Sequence, residues 1–66
     1  MNKIIHLKIR ELRLKQKKTI TFMADKLYMT PAGYSLKEAG KRKITTDELE
    51  KIASALDVTP KYFYEE

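Results

Sequence analysis

Residues 19–40, which read TITFMADKLYMTPAGYSLKEAG, constrain the fold most, because they contain two helix starts separated by very little chain. Thr19 can cap one helix with its side-chain oxygen. Thr30 can cap a second helix that begins with Pro31, a residue that has no amide hydrogen to lose at that position. The connection is too short for the second helix to fold back alongside the first. We therefore predict two short helices that cross at a steep angle about a tight turn.

The length and composition of the chain limit what can surround this stretch. The 66 residues are enough for one hydrophobic core, so we predict a single domain over residues 1–66. There is no cysteine and only one histidine, which excludes a disulfide framework and a zinc cluster. Charges interrupt the apolar runs near the N-terminus, so we expect neither a signal peptide nor a membrane span. A net charge of +5 favours an anionic partner.

The segment before the stretch, from about residue 2 to residue 16, is predicted to be helical because its apolar residues recur at helical spacing. One stripe is the expected core face and contains Ile5, Ile9 and Leu12. A second stripe, nearly opposite, contains Ile4, Leu7 and Leu14. Two interpretations of this second stripe stay open. Either the C-terminal helix wraps over it, as in many small cores, or a second chain contacts it.

The segment after the stretch begins with a capping box, in which Thr45 and Glu48 satisfy each other's backbone amides. Thr59 and Pro60 then repeat the combination of cap and proline, and they are predicted to start a final short helix. Between these two starts, an amphipathic stripe contains Leu49, Ile52, Ala53 and Leu56. The sequence therefore predicts an all-α, compact five-helix bundle with no strand.

Four segments of the chain carry a resemblance to a known family: IRELR at residues 9–13, MADKLYMT at 23–30, EAGKRK at 38–43 and LEKIASALDVTP at 49–60. Together they resemble the phage-repressor and Cro family of helix-turn-helix DNA-binding domains, also called the Xre-like family. The resemblance covers nearly the whole chain, from about Ile5 to Tyr64. It implies a nucleoid-associated regulator of transcription that binds double-stranded DNA and needs no cofactor. The absence of cysteine fits a cytoplasmic protein, and we do not expect an enzyme, because nothing near Glu38 supplies a nucleophile, a metal cluster or a second acid.

The resemblance also implies how such a domain meets DNA. Residues 31–39 would form the recognition helix in the major groove, and the helix after Thr19 would cross the phosphate backbone. The groove-facing residues would be Thr30, Pro31, Ala32, Gly33, Ser35 and Leu36. The residues on the backbone would be Lys17, Lys18, Thr19, Ile20, Lys41, Arg42 and Lys43. Read from composition alone, these basic residues are also consistent with solvated loop charges.

Two further features follow from the resemblance. Arg13 and Glu38 occupy positions where family members carry a structural ion pair between the first and third helices. Family members also read paired half-sites, so a homodimer is expected. Its contact surface would be either residues 58–64 or the second stripe of the first helix.

The chain departs from the family where DNA is read. Ile20 stands in place of a glutamine that usually contacts phosphate. Among the groove-facing side chains only Ser35 can hydrogen-bond a base edge, although direct readout usually depends on Arg, Lys, Asn and Gln. Tyr28 stands where the turn glycine would adopt a positive φ, and Lys37 where a core leucine is usual.

These departures leave two functional interpretations open. In the first, lysines give affinity for DNA, small residues allow close approach, and Ala32 or Leu36 contacts thymine methyl groups while DNA shape adds selectivity. In the second, the helix-turn-helix is degenerate, and its apolar former DNA face mediates protein–protein interaction or self-association. That face would contain Ile20, Phe22, Pro31, Ala32 and Leu36.

Overall fold

A computed structural model describes residues 3–64, apart from the side chains of Lys3 and Ile4. Over this range the chain is all-α and has no strand. None of the described helices is long and apolar enough to cross a lipid bilayer. The elements are α1 (Lys3–Lys15), α2 (Ile20–Lys26), α3 (Pro31–Glu38), α4 (Thr46–Ala55) and a C-terminal 3-10 turn (Pro60–Phe63).

The prediction of five helices is wrong, because the described residues form four α-helices and one 3-10 turn. In that turn, the N–H groups of Tyr62 and Tyr64 donate at 3.0 Å to carbonyls only three residues back, those of Thr59 and Lys61. Thr59 accepts no capping hydrogen bond with its side chain. The segment is thus too short, and too weakly capped, for an α-helix, and it takes the tighter geometry.

Threonine caps start α2, α3 and α4 as the sequence predicts. Thr19 and Thr30 each accept the amide N–H of the third residue after them, at 3.0 and 3.1 Å. Thr45 accepts the N–H of Glu48 at 3.1 Å, and the Glu48 carboxylate accepts the N–H of Thr45 at 3.0 Å. The predicted capping box is therefore confirmed.

The hydrophobic core lies where the inner faces of the four helices meet the C-terminal turn. The core-facing stripe of α1 is confirmed, because Ile9 and Leu12 are buried and Ile5 packs against them half-buried. The stripe of α4 is buried in the same way. The buried apolar residues are Ile9, Leu12, Met23, Ala24, Leu27, Tyr34, Leu49, Ile52, Ala53, Leu56 and Phe63.

The second stripe of α1 is not covered by the rest of the chain. The side chains of Leu7 and Leu14 are 53% and 54% exposed. The side chain of Ile4, the third member of the stripe, lies outside the described residues. The interpretation in which the C-terminal segment wraps over this stripe is therefore wrong for both leucines.

Candidate nucleic-acid interface

The turn between α2 and α3 sets the direction of the candidate recognition helix. The N–H of Met29 donates to the carbonyl of Ala24 at 3.0 Å, and the N–H of Tyr28 donates to that of Asp25 at 3.2 Å. This pair of bonds is a Schellman motif, which ends a helix by placing one residue in the left-handed region. That residue is Tyr28, whose φ is +57°. The predicted tight turn is present, with tyrosine in the position of the usual glycine.

The outer face of α3 presents the residues that the family resemblance places in the groove. Pro31, Ala32 and Ser35 are exposed, whereas Gly33 and Leu36 are half-buried. Thr30 is also exposed, but its side-chain oxygen already accepts the amide N–H of Gly33. The side chains on this face are therefore small and weakly polar.

An ion pair on the inner side of α3 fixes this helix against α1. The Arg13 Nε and Nη2 groups donate to the two carboxylate oxygens of Glu38, each at 2.8 Å. Both side chains are buried. A third group of Arg13, Nη1, donates to the carbonyl of Lys18 at 2.9 Å. The expected ion pair is therefore present, and it also ties the connection between α1 and α2 to the same point.

Tyr34 is a third member of this cluster, and sequence reasoning missed it. Its hydroxyl donates to Glu38 Oε2 at 2.6 Å, and its side chain is fully buried. Burial, together with the hydrogen bond to Glu38, raises the pKa of Tyr34 far above its usual range. The hydrogen bond to Glu38 also raises the pKa of Arg13, outweighing the opposite effect of burial. The spacing of Tyr34 and Glu38, one helical turn apart, was the available signal.

The chemistry of this cluster is structural. All oxygens of the Glu38 carboxylate are engaged by Arg13 and Tyr34, and none of the three side chains leaves a buried polar atom without a partner. Among the described residues there is also no group of three or more His, Asp or Glu that could hold a metal ion. The cluster therefore positions α3 against α1.

The two lysines before α2 have different environments. The Lys18 ammonium donates to the carbonyl of Ala55 at 2.7 Å and lies 5.2 Å from the ring centre of Phe22. It thus neutralises the negative end of α4 inside the fold. Lys17 is exposed and lies in the turn after α1, where its φ is +60°. Of the two, Lys17 is the one whose charge is available to a phosphate.

The basic segment after α3 is exposed, and its backbone is anchored. The side chains of Lys41, Arg42 and Lys43 make no hydrogen bond or ion pair within the described part of the chain. Beneath them, the Lys37 ammonium donates to the Lys43 carbonyl and to Glu48 Oε1, both at 2.9 Å. Lys37, in the place of a core leucine, therefore fixes the loop that carries three free cations.

The apolar face around α2 and α3 is smaller than the sequence predicts. Ile20 and Phe22 are half-buried and pack against the core. Pro31 and Ala32 remain exposed, and Leu36 is half-buried. Ile20 consequently contributes more to the fold than to an outer surface.

Comparison with known proteins identifies a family. A family model described as helix-turn-helix matches residues 9–63, which run from the middle of α1 to the end of the C-terminal 3-10 turn. The match includes α2, α3 and the turn between them. No curated protein and no solved structure matches the chain.

Proposed function

Because the chain belongs to the helix-turn-helix family of DNA-binding domains, we propose that it is a transcriptional regulator of the Cro/repressor type. One observation carries this proposal: α3 is anchored from its inner side and exposed on its outer side. Tyr34 and Glu38 hold the inner face in the core, while Ala32 and Ser35 are exposed on the other faces of the helix. A helix held in this way can enter a major groove without unfolding its support.

Affinity for DNA comes from phosphate contacts at the two ends of the helix pair. Lys17 and Thr19 lie before α2, and the exposed cations Lys41, Arg42 and Lys43 follow α3. The net charge of +5 attracts the duplex from a distance and makes binding depend on salt. We assign Lys18 a supporting role, since its ammonium is bound to Ala55.

Base recognition by α3 is modest. The hydroxyl of Ser35 makes no hydrogen bond within the described residues, so it is available to a base edge. Ala32 and Leu36 offer methyl groups that fit against thymine, and the absence of a side chain at Gly33 permits close approach. Selectivity then depends largely on the shape and deformability of the operator.

The proposed regulator acts as a homodimer on two half-sites. A single module with one hydrogen-bonding side chain in the groove would discriminate poorly between sequences. Two copies double the number of phosphate and groove contacts, and the spacing of the half-sites adds a geometric criterion.

The alternative function, in which the α3 face binds another protein, has less support. Two of the five residues on which it depends, Ile20 and Phe22, are packed against the core. The substitution Leu36→Lys distinguishes the two functions. It would abolish self-association or partner binding through this face, whereas added positive charge in a DNA-facing helix would not weaken non-specific binding to duplex.

The test is the salt dependence of binding to random-sequence duplex DNA, measured by fluorescence anisotropy. We expect the logarithm of the affinity to fall linearly with the logarithm of the salt concentration. The substitution Arg42→Gln should reduce the magnitude of this slope by about 1, because one phosphate contact is lost. Lys51→Gln is the matched control, since it removes the same charge from the exposed surface of α4 and should leave the slope nearly unchanged.

Two results would contradict the proposal. The absence of duplex binding at low salt would remove DNA as the partner. Equal effects of Arg42→Gln and Lys51→Gln would mean that binding follows net charge and not the surface formed by α2, α3 and the segment after α3.

A further inference from the structure

The second stripe of α1, which we call the outer stripe, is an exposed apolar surface. The described part of the chain does not cover it. Leu7 and Leu14 are both more than half exposed, and they lie on the side opposite the buried Ile9. Leu14 follows Leu7 by seven positions, so the two are about 10 Å apart along one side of the helix. Arg10 and Glu11 are exposed between them and make no ion pair or hydrogen bond within the described residues.

The C-terminal residues 58–64, the other surface considered for a dimer, are partly used by the fold. Phe63 is buried and Val58 packs against the core half-buried. Tyr62 packs edge-on against Phe63, with the ring centres 5.3 Å apart. Tyr64 lines a groove beside Ile5, on a different side of α1 from the exposed leucines. Tyr62 and Tyr64 are still 43% and 60% exposed, but both side chains end in a hydroxyl group, so of the two surfaces only the outer stripe of α1 exposes leucines.

We propose that a second copy of this chain packs on the stripe formed by Leu7, Arg10, Glu11 and Leu14, with the two α1 helices side by side and parallel. This inference deepens the proposed function, because it names the dimer surface of the regulator. The leucines form the contact, and the two charged residues fix its geometry.

The charge pattern of the stripe favours a second copy as its occupant. The whole chain carries a net charge of +5, so two copies repel one another over most of their surfaces. Arg10 and Glu11 cancel, which makes this stripe neutral at its centre. It is a surface on which two like-charged chains can approach, and an isologous interface requires the same patch from both.

The order of the charges selects the parallel arrangement. Arg10 and Glu11 project to opposite sides of the line through Leu7 and Leu14, because successive residues differ by about 100° around a helix. A two-fold axis parallel to α1 places Arg10 of one copy beside Glu11 of the other, twice. An antiparallel pairing instead places the two arginines together and the two glutamates together. The parallel pairing therefore gains two attractive contacts.

The interface is small, and the dimer is correspondingly weak. A contact between two helices of this length buries less than the roughly 1,200 Å² at which standard interfaces begin. The dimer therefore forms at high protein concentration, or on DNA where two adjacent half-sites hold the copies together.

Charge reversal with subunit mixing tests the surface. Sedimentation equilibrium without DNA, at low salt and up to about 1 mM protein, should show a monomer–dimer equilibrium for the unaltered chain. Arg10→Glu and Glu11→Arg should each weaken dimerisation at least about tenfold, because each places like charges together twice. An equimolar mixture of the two variants should recover the dimer. At positions 10 and 11 one copy then carries two positive charges and the other carries two negative charges.

The controls separate this surface from the fold and from DNA binding. Both charged residues are exposed, so circular dichroism and the melting temperature should stay unchanged. Tyr62→Ser, on the C-terminal surface, should leave dimerisation as it is. An unaltered chain that is monomeric throughout, or single variants that dimerise normally, would overturn the inference. If that monomer still binds duplex with the expected salt dependence, the proposed DNA-binding function stands without it.

Cysteine cross-linking tests the orientation in a chain that has no cysteine of its own. In the parallel pairing Leu7 faces its counterpart, so Leu7→Cys alone should form a disulfide-linked dimer on mild oxidation. Tyr62→Cys is the matched control and should remain monomeric under the same conditions. Cross-linking that requires a mixture of Leu7→Cys and Leu14→Cys would overturn the parallel arrangement.

Discussion

At the scale of single residues, Tyr28 shows a conformation that its side chain does not favour. The residue has a φ of +57° and its side chain is 87% exposed. Its ring lies against the Lys51 ammonium, which is 5.4 Å from the ring centre. A cation–π contact at an exposed site contributes about 0.5–1 kcal/mol, less than the strain of an L-residue in this region. The turn is thus held by the Schellman bonds and not by the tyrosine.

We predict that Tyr28→Gly is more stable than Tyr28→Ala by about 0.5–1 kcal/mol, because both variants lose the ring contact and only glycine loses the strain. Relief of about 1–2 kcal/mol of left-handed strain exceeds the extra backbone entropy that glycine loses on folding. Urea denaturation followed by circular dichroism measures the change. Tyr28→Ala is the control, because it removes the ring and keeps the strain, and it should bring no gain. Equal stability of the two variants would contradict the strain at this position.

The buried cluster under α3 gives the largest expected effect of a single residue. Glu38→Ala should lower the free energy of unfolding by about 3–5 kcal/mol, because Arg13 is then left as a buried charge without its partner. Tyr34→Phe keeps the buried ring and loses one hydrogen bond to a charged group, so it should cost about 1.5–3 kcal/mol.

Denaturant titration of these two variants, with the exposed Glu11→Ala as a control, checks this ranking. Glu11→Ala should stay within about 0.5 kcal/mol of the unaltered chain. If Tyr34→Phe costs as much as Glu38→Ala, the ion pair contributes little beyond the tyrosine bond.

Individual residues also show where sequence reasoning stops. The pairing of Arg13 with Glu38 could be predicted only through the family resemblance, because 25 residues separate them. The positive φ of Tyr28 was also predicted from the family resemblance. The bond from Lys18 to Ala55 was not predictable, since it depends on how α4 is placed against the start of α2. Local chemistry gave no sign that one of two adjacent lysines is structural.

At the scale of elements, helix starts were easier to predict than helix ends. Three starts follow from a threonine whose oxygen reaches a nearby amide, which is a local interaction. Each of the four described helices is followed by a residue in the left-handed region, but only α3 has a glycine there, Gly40. After the other three helices this residue is Lys17, Tyr28 or Asp57. The same pair of local hydrogen bonds as at Tyr28 closes each of these ends, so none of them requires glycine. Composition at the turn therefore did not reveal the left-handed residue at Lys17 or Asp57.

The start of α4 carries a pH-dependent contribution to stability. Burial alone would raise the pKa of Glu48, but hydrogen bonds from the Thr45 N–H and the Lys37 ammonium outweigh it and lower that pKa. A carboxyl with a lowered pKa in the folded state stabilises the fold at pH values above its unfolded pKa of about 4.3. That contribution is lost as the pH falls through the folded-state pKa.

We therefore predict that Glu48→Gln is less stable than the unaltered chain at pH 7, by about 0.5–1 kcal/mol. Glutamine can retain the capping box, so the variant isolates the charge. Urea denaturation at a series of pH values should show this difference shrinking below about pH 4. Asp47→Asn, in the same helical turn and exposed, controls for the helix dipole. A difference that is constant over this pH range would exclude the Glu48 charge as its source.

At the scale of the whole molecule, the sequence predicted the fold class, the core stripes and the candidate recognition helix. The prediction overestimated the number of helices and the extent of the exposed apolar face around α3. Both depend on how closely short segments pack. The sequence left open whether Leu7 and Leu14 are covered, and the structure leaves them exposed. A chain of this size buries little surface, so its stability responds strongly to anything that binds the folded state.

The proposed function predicts that duplex DNA raises the melting temperature of the domain. A ligand that binds only the folded state, at 100 times its dissociation constant, adds about 2.7 kcal/mol to the free energy of unfolding. For a domain of this length that corresponds to an increase of about 10–20 °C. Differential scanning fluorimetry at low salt measures it, and raising the salt should remove most of the increase because the contacts are to phosphates. At the same duplex concentration, Arg42→Gln should show a smaller increase in melting temperature. Lys51→Gln should show the same increase as the unaltered chain. A melting temperature that duplex does not change at low salt would show that the folded domain does not bind DNA, however well α3 is presented.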